Sequence, residues 1–99
     1  MTNYKVIKTA EDLRSAVEAL SNQPVVGLDT ETTDLDPFTS RLRLIQLATP
    51  DLVYIVDLDA FRDGDFSSNE ALAPLRRLLE APRPIKIAQR KVRRQVHQT

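Results

Sequence analysis

The sequence predicts a small α/β domain built around one sheet, and three observations carry that reading. Arg41-Leu42-Arg43-Leu44-Ile45-Gln46-Leu47-Ala48-Thr49 alternates charged or amide side chains with aliphatic ones, the period of a half-buried strand. After Pro50-Asp51, residues 52–58 form a second apolar run, close enough to pair with the first as an antiparallel hairpin. Leu13, Ala16, Val17 and Leu20 recur instead at helical spacing, so both periods coexist in one short chain.

Taken in order, Tyr4-Lys5-Val6-Ile7 is a short extended candidate. Thr9 stands where a helix N-cap belongs, and Glu11 and Asp12 occupy the first turn, where acids meet the positive end of the helix dipole. The helix is expected to run to about Leu20, and Ser21-Asn22-Gln23-Pro24 breaks it. Val25-Val26-Gly27-Leu28 reads as a buried strand that continues through Asp29 to Glu31. Residues 32–40 are polar and contain Asp36-Pro37, a loop; residues 61–69 form a second, acidic and serine-bearing loop. Asn69 is placed to cap a helix over residues 70–80, with Leu72, Leu75, Leu78 and Leu79 on its buried side. Ala81-Pro82-Arg83-Pro84 ends that helix, and Ile85-Lys86-Ile87-Ala88 opens a further strand. The expected order is three strands in a meander, a helix, then a fourth strand. The apolar pattern is lost after Ala88, which leaves an open sheet edge and an expectation of self-association through unpaired strand edges.

Composition narrows the class. At 99 residues, 41% hydrophobic and 28% charged, the chain fits one globular domain. A domain of this size buries a modest share of its surface and is marginally stable. There is no cysteine, which excludes disulfides and thiolate metal sites. No apolar run approaches the roughly 18–20 residues needed to span a bilayer, and Met1-Thr2-Asn3-Tyr4-Lys5 has no signal-peptide core, so a cytoplasmic setting is expected. The net charge of zero hides an asymmetry: residues 1–88 hold ten Lys and Arg against fourteen Asp and Glu, whereas residues 89–99 hold Arg90, Lys91, Arg93 and Arg94 and no acid.

The most informative segment is Val25-Val26-Gly27-Leu28-Asp29-Thr30-Glu31-Thr32-Thr33-Asp34-Leu35-Asp36. On a strand, positions i and i+2 share a face, so Asp29 and Glu31 project together. Adjacent carboxylates repel unless protonated or bridged by a cation, and hard ions such as Mg²⁺ take oxygen ligands of this kind. Two such ions roughly 3.5–4 Å apart can activate water and stabilise a leaving oxygen in phosphodiester hydrolysis. Two carboxylates are too few for that task alone, and on spacing alone most acids at a strand end are solvated loop acids or helix caps.

That segment with Pro37, followed by Arg41-Leu42-Arg43-Leu44-Ile45-Gln46-Leu47-Ala48, closely resembles the first motif of the DEDD family of 3′-5′ exonucleases, which includes ribonuclease D and the proofreading domain of family A DNA polymerases. Tyr4-Lys5-Val6-Ile7 with its following helix, and Val53-Tyr54-Ile55-Val56-Asp57, look like that family too. The resemblance implies an RNase H-like fold over residues 1–88, of which this is the N-terminal portion. It implies hydrolysis of DNA or RNA from the 3′ end with two Mg²⁺ or Mn²⁺ ions. Carried over residue by residue, Asp29 would bridge both ions and Glu31 would bind the one holding the nucleophilic water. Thr32 would lie near the 3′-terminal sugar, and Leu35 would pack against the terminal bases, although a loop leucine folded back on the core is an equal reading.

The chain departs from the family after Ala88. The second motif, His-Asn-x-x-Phe-Asp, is expected there, and Gln89-Arg90-Lys91-Val92-Arg93-Arg94 stands in its place; the third motif is not reached. One codon choice for Gln89 to Gln98, read one base later, spells Asn-Ala-Lys-Phe-Asp, and a preceding His completes the missing motif. Residues 89–99 are therefore expected to be a frameshift product, and this chain to lack exonuclease activity. The alternative is a genuine basic tail that makes the chain a non-catalytic nucleic-acid-binding fragment. His97 has no nearby acid, Gly27 and Gly64 are too few for a phosphate loop, and Asp57, Asp59, Asp63 and Asp65 lack calcium-loop spacing and read as solvated acids.

Overall fold

A computed structural model describes residues 3–32, 42–61, 66 and 68–88. Five strands and two helices follow in the order β1 (Asn3–Ile7), α1 (Ala10–Ser21), β2 (Val25–Thr32), β3 (Leu42–Ala48), β4 (Leu52–Asp57), α2 (Ala73–Glu80) and β5 (Ile85–Ala88). The strands form one sheet in the order β1-β4-β3-β2-β5. β2, β3 and β4 make the expected antiparallel meander. β5 returns parallel to β2, and β1 adds parallel to β4 as a fifth strand. All strands but β3 therefore run the same way, and their C-terminal ends gather at one end of the sheet.

Local chemistry explains the helices. The Thr9 hydroxyl accepts from the Asp12 amide at 3.1 Å, as an N-cap should. Leu13, Ala16 and Leu20 turn inward from α1. Asn69 is itself buried, and its Oδ1 accepts from the Ala71 amide at 2.8 Å. It caps a short 3-10 turn, Glu70–Leu72, and the α-helix proper begins only at Ala73, with Pro74 in its first turn. Pro74 has no amide hydrogen to leave unpaired there. At the far end of α2 the Lys86 ammonium of β5 donates to the carbonyls of Leu78, at 2.7 Å, and of Ala81. A cation there satisfies carbonyls that the ending helix leaves orphaned.

Both helices cover the same sheet face. Ile7, Val26, Ile45, Leu47 and Val56 point from the strands into a core closed by Leu13, Leu20, Leu72 and Leu75. Three expectations need adjustment. Val25 is exposed rather than buried, because the alternation of β2 sends it to the other face. Thr32 ends β2 instead of opening the loop. The acidic loop over residues 61–69 is buried at both of its ends, since Phe61 joins the core and the Asn69 amide donates to its carbonyl at 3.5 Å. Residues 33–41, where most of the first loop falls, and 89–99 lie outside the described residues. Among the described residues no helix is long and apolar enough to cross a membrane.

Candidate metal and nucleic-acid site

The alternation of β2 sorts its side chains by chemistry. Val26 goes to the core side, with Leu28 packed against it, while Gly27, Asp29 and Glu31 take the face that carries no helix. Asp29 and Glu31 therefore share one face, as their spacing requires, at the C-terminal end of an interior strand, between β3 and β5. Consecutive same-face positions on a strand lie about 6.5 Å apart along the chain. Asp29 is half-buried and Glu31 exposed. One carboxylate oxygen of Asp29 accepts from the Thr30 amide at 2.9 Å, which ties its orientation to the strand. Across β3, Asp29 faces Gln46 and Glu31 faces Leu44. Neither β3 partner is a cation, so β3 does not compensate the repulsion between the two carboxylates.

The pairing is irregular at this point. Glu31 aligns with Leu44 and Thr32 with Leu42, so Arg43 is an extra residue opposite the step between them. Such bulges bend a strand and re-aim side chains. Here the bend falls immediately after Glu31. Arg43 reaches Asp59 at 3.7 Å, an exposed pair of little energetic weight.

A third acid shares this end. Asp57 closes β4 and aligns with Leu44, the residue that Glu31 faces from the other side. Two strand spacings, about 10 Å, thus separate Asp57 from Glu31. Its carboxylate already accepts from the Asp59 amide at 3.1 Å, capping a 3-10 turn. Sequence reasoning placed Asp57 among solvated loop acids, yet Val56-Asp57 repeats the signature of Leu28-Asp29, an apolar strand ending on a carboxylate. Among the described residues no group of three acids or imidazoles is close enough to hold an ion. Thr32 lies at the exposed end of β2, next to the pair; Leu35 lies outside the described residues. An open cleft of about 270 Å³ beside Val17, Ser21 and Leu78 lies between the helices, on the other side of the sheet from the acids.

Hard oxygen donors on one face, at the strand ends and open to solvent, fit a divalent cation in part: two ligands are present, and a complete shell needs more. Phosphate recognition at such a place is also consistent with the tendency of ligands to bind beyond the carboxyl ends of strands.

Comparison with known proteins agrees with this geometry. A family model described as 3′-5′ exonuclease matches residues 4–91. A ribonuclease D of Gluconacetobacter diazotrophicus is 37% identical over 82 residues, covering 83% of this chain and 19% of its own length. A DNA polymerase I of Aquifex aeolicus is 31% identical over 77 residues, covering 78% of this chain and 11% of its own. Among solved structures, Escherichia coli RNase D, an exoribonuclease involved in structured RNA processing, superimposes with a TM-score of 0.67 at 31% identity, over 88% of this chain and 21% of that one. The chain thus spans about a fifth or less of each of these three proteins.

Proposed function

This chain belongs to the 3′-5′ exonuclease family, and from that premise we propose that it is the N-terminal portion of a metal-dependent exonuclease domain acting on nucleic acid 3′ ends in the cytoplasm. The observation that carries the proposal is the placement of Asp29 and Glu31 together on the helix-free face, at the strand ends, beside a bulge. Asp29 and Glu31 would hold Mg²⁺ or Mn²⁺ by their carboxylates. Bound ions supply an acidified water and charge neutralisation at the phosphate. Thr32 would lie beside the terminal sugar, and Leu35 would cover the terminal base. One oxygen of Asp29 accepts from the Thr30 amide, and the second would be the one offered to an ion.

Two carboxylates bind a hard dication weakly, because much of the ion's hydration shell stays in place. In this reading the 99-residue chain binds ions loosely and does not turn over. The test is incubation of the purified chain with 3′-labelled RNA and DNA oligonucleotides in Mg²⁺ and Mn²⁺. The expected result is no release of mononucleotides. Release that Asp29→Ala abolishes would show that this length is active. Release that Asp29→Ala leaves unchanged would remove Asp29 from the site.

A second reading rests on the four cations and no acids of residues 89–99. It makes the chain a nucleic-acid-binding fragment that holds phosphates through those cations. Four phosphate contacts predict a slope of about −3 in log affinity against log salt on single strands. Binding would vanish on removing residues 89–99 and survive Asp29→Ala.

A further inference from the structure

The two helices leave an open cleft of about 270 Å³ between them, floored by Val17, Pro74 and Leu78. Its charged lining is of one sign. Arg77 comes from the last turn of α2 and Arg83 from the segment that leads into β5, and none of the lining residues is acidic. Among the described residues neither guanidinium has a hydrogen-bond or ion-pair partner. Other polar groups at the cleft are already engaged. The Ser21 hydroxyl donates to the Val17 carbonyl at 2.7 Å. The carbonyls of Leu78 and Ala81, which would otherwise draw a cation, accept from the Lys86 ammonium. Arg83 stands between Pro82 and the buried Pro84, whose rings fix the backbone φ on either side, and the Ile85 amide ties the segment to the Pro24 carbonyl at 3.0 Å. Two cations beside an apolar floor repel each other, and a cleft lined by one sign of charge focuses its field on an ion of the other.

We propose that this cleft binds a small phosphate monoester, its phosphate between Arg77 and Arg83 and its apolar body on Val17, Pro74 and Leu78. Charge selects the class. Two guanidiniums bring two positive charges, and a phosphate monoester carries about −1.5 to −2 at neutral pH, whereas a carboxylate or a phosphodiester carries one negative charge. Geometry agrees, since a guanidinium fork takes two oxygens at a time and a monoester phosphate has enough for two forks. The ligand is small, because the cleft falls below the roughly 300–1,000 Å³ of pockets for drug-sized molecules. The cleft lies on the other side of the sheet from Asp29 and Glu31, so the inference does not depend on the exonuclease reading.

The test titrates the isotope-labelled 99-residue chain, in EDTA, with phenyl phosphate, benzoate and phenol, read by amide resonances. Phenyl phosphate should move the amides of Ser21, Arg77 and Arg83, bind about fivefold tighter than benzoate, and leave phenol without effect. Arg77→Gln and Arg83→Gln should each weaken phenyl phosphate by about fivefold. Lys5→Gln, the same loss of charge at an exposed position on β1, should leave it unchanged. Arg77→Lys should recover part of the loss, since an ammonium keeps the charge and lacks the fork. Unmoved amides in the sheet show that each variant is folded. The proposal is overturned if phenyl phosphate leaves the cleft amides in place, or if benzoate binds as tightly. It is equally overturned if Lys5→Gln weakens binding as much as the arginine variants do, which would reduce the effect to net charge.

Discussion

Leu28 and Ala88 lie side by side in parallel register, the one on β2 and the other on β5. The chain therefore leaves β5 next to the residue that precedes Asp29. A motif placed directly after Ala88 would be delivered beside the acidic pair, and the family resemblance puts its second carboxylate-bearing motif at that point.

Resequencing the gene beyond codon 88 tests this. A neighbouring frame is expected to read His-Asn-x-x-Phe-Asp. If it does, a protein made in the restored frame should degrade oligonucleotides from the 3′ end in Mg²⁺. Removing a residue that merely orients a metal ligand costs about 10–100-fold, so Asp29→Ala in that protein should cost more. Absence of such a frame would leave residues 89–99 as a genuine tail.

Lys86 has no counterpart in the sequence reading, and its role is to close α2 from a neighbouring strand. Lys86→Met keeps the stem and removes the donor. Loss of charge-assisted hydrogen bonds at a half-buried site should destabilise the chain by about 1–2 kcal/mol. In a domain of this size that lowers the midpoint of thermal unfolding by roughly 4–8 °C per kcal/mol, read by circular dichroism.

Asn69 makes a complementary prediction. Asn69→Ala removes the cap of the 3-10 turn and leaves the Phe61 carbonyl without its donor. The expected cost is about 1–2 kcal/mol. Asn69→Asp keeps the accepting oxygen and should recover part of it. Equal losses in the two variants would show that the donated bond to Phe61 matters more than the cap.

Leu75 is fully buried in α2, against the core shared by both helices and the sheet. Leu75→Ala should cost about 2–5 kcal/mol, enough to unfold much of a marginally stable domain at room temperature. Urea titration measures it. A cost well below that range would mean that the helices close over the cavity.

These residues also show how far the sequence could be read. α1 with its Thr9 cap and the shared face of Asp29 and Glu31 were legible because each depends on neighbours within a few positions, and the strand meander because it joins strands consecutive in sequence. The pairing of β1 with β4 was not, since it joins residues about fifty positions apart and leaves no local period. Lys86 escaped for the same reason: a donor supplied to a helix end from another element looks, in sequence, like any polar residue, whereas the local cap from Asn69 was legible. The helix-free face was hidden differently. Tyr4, Val6 and Ile87 read as ordinary strand hydrophobics, and only the position of the helices shows which of them remain uncovered.

The opposite orientation of β3 has a practical use. Its hairpin with β4 turns at Pro50-Asp51, at the end of the sheet away from Asp29, where the Thr49 hydroxyl accepts from the Leu52 amide at 3.1 Å and holds the bend. Counting from Gln46, the residue opposite Asp29, the turn begins at Thr49, about 10 Å along the strand. A nuclear-spin probe at Asp51 and a paramagnetic Mn²⁺ at the carboxylates would sit at two marks on one rigid ruler, and relaxation between them would report the ion's position directly.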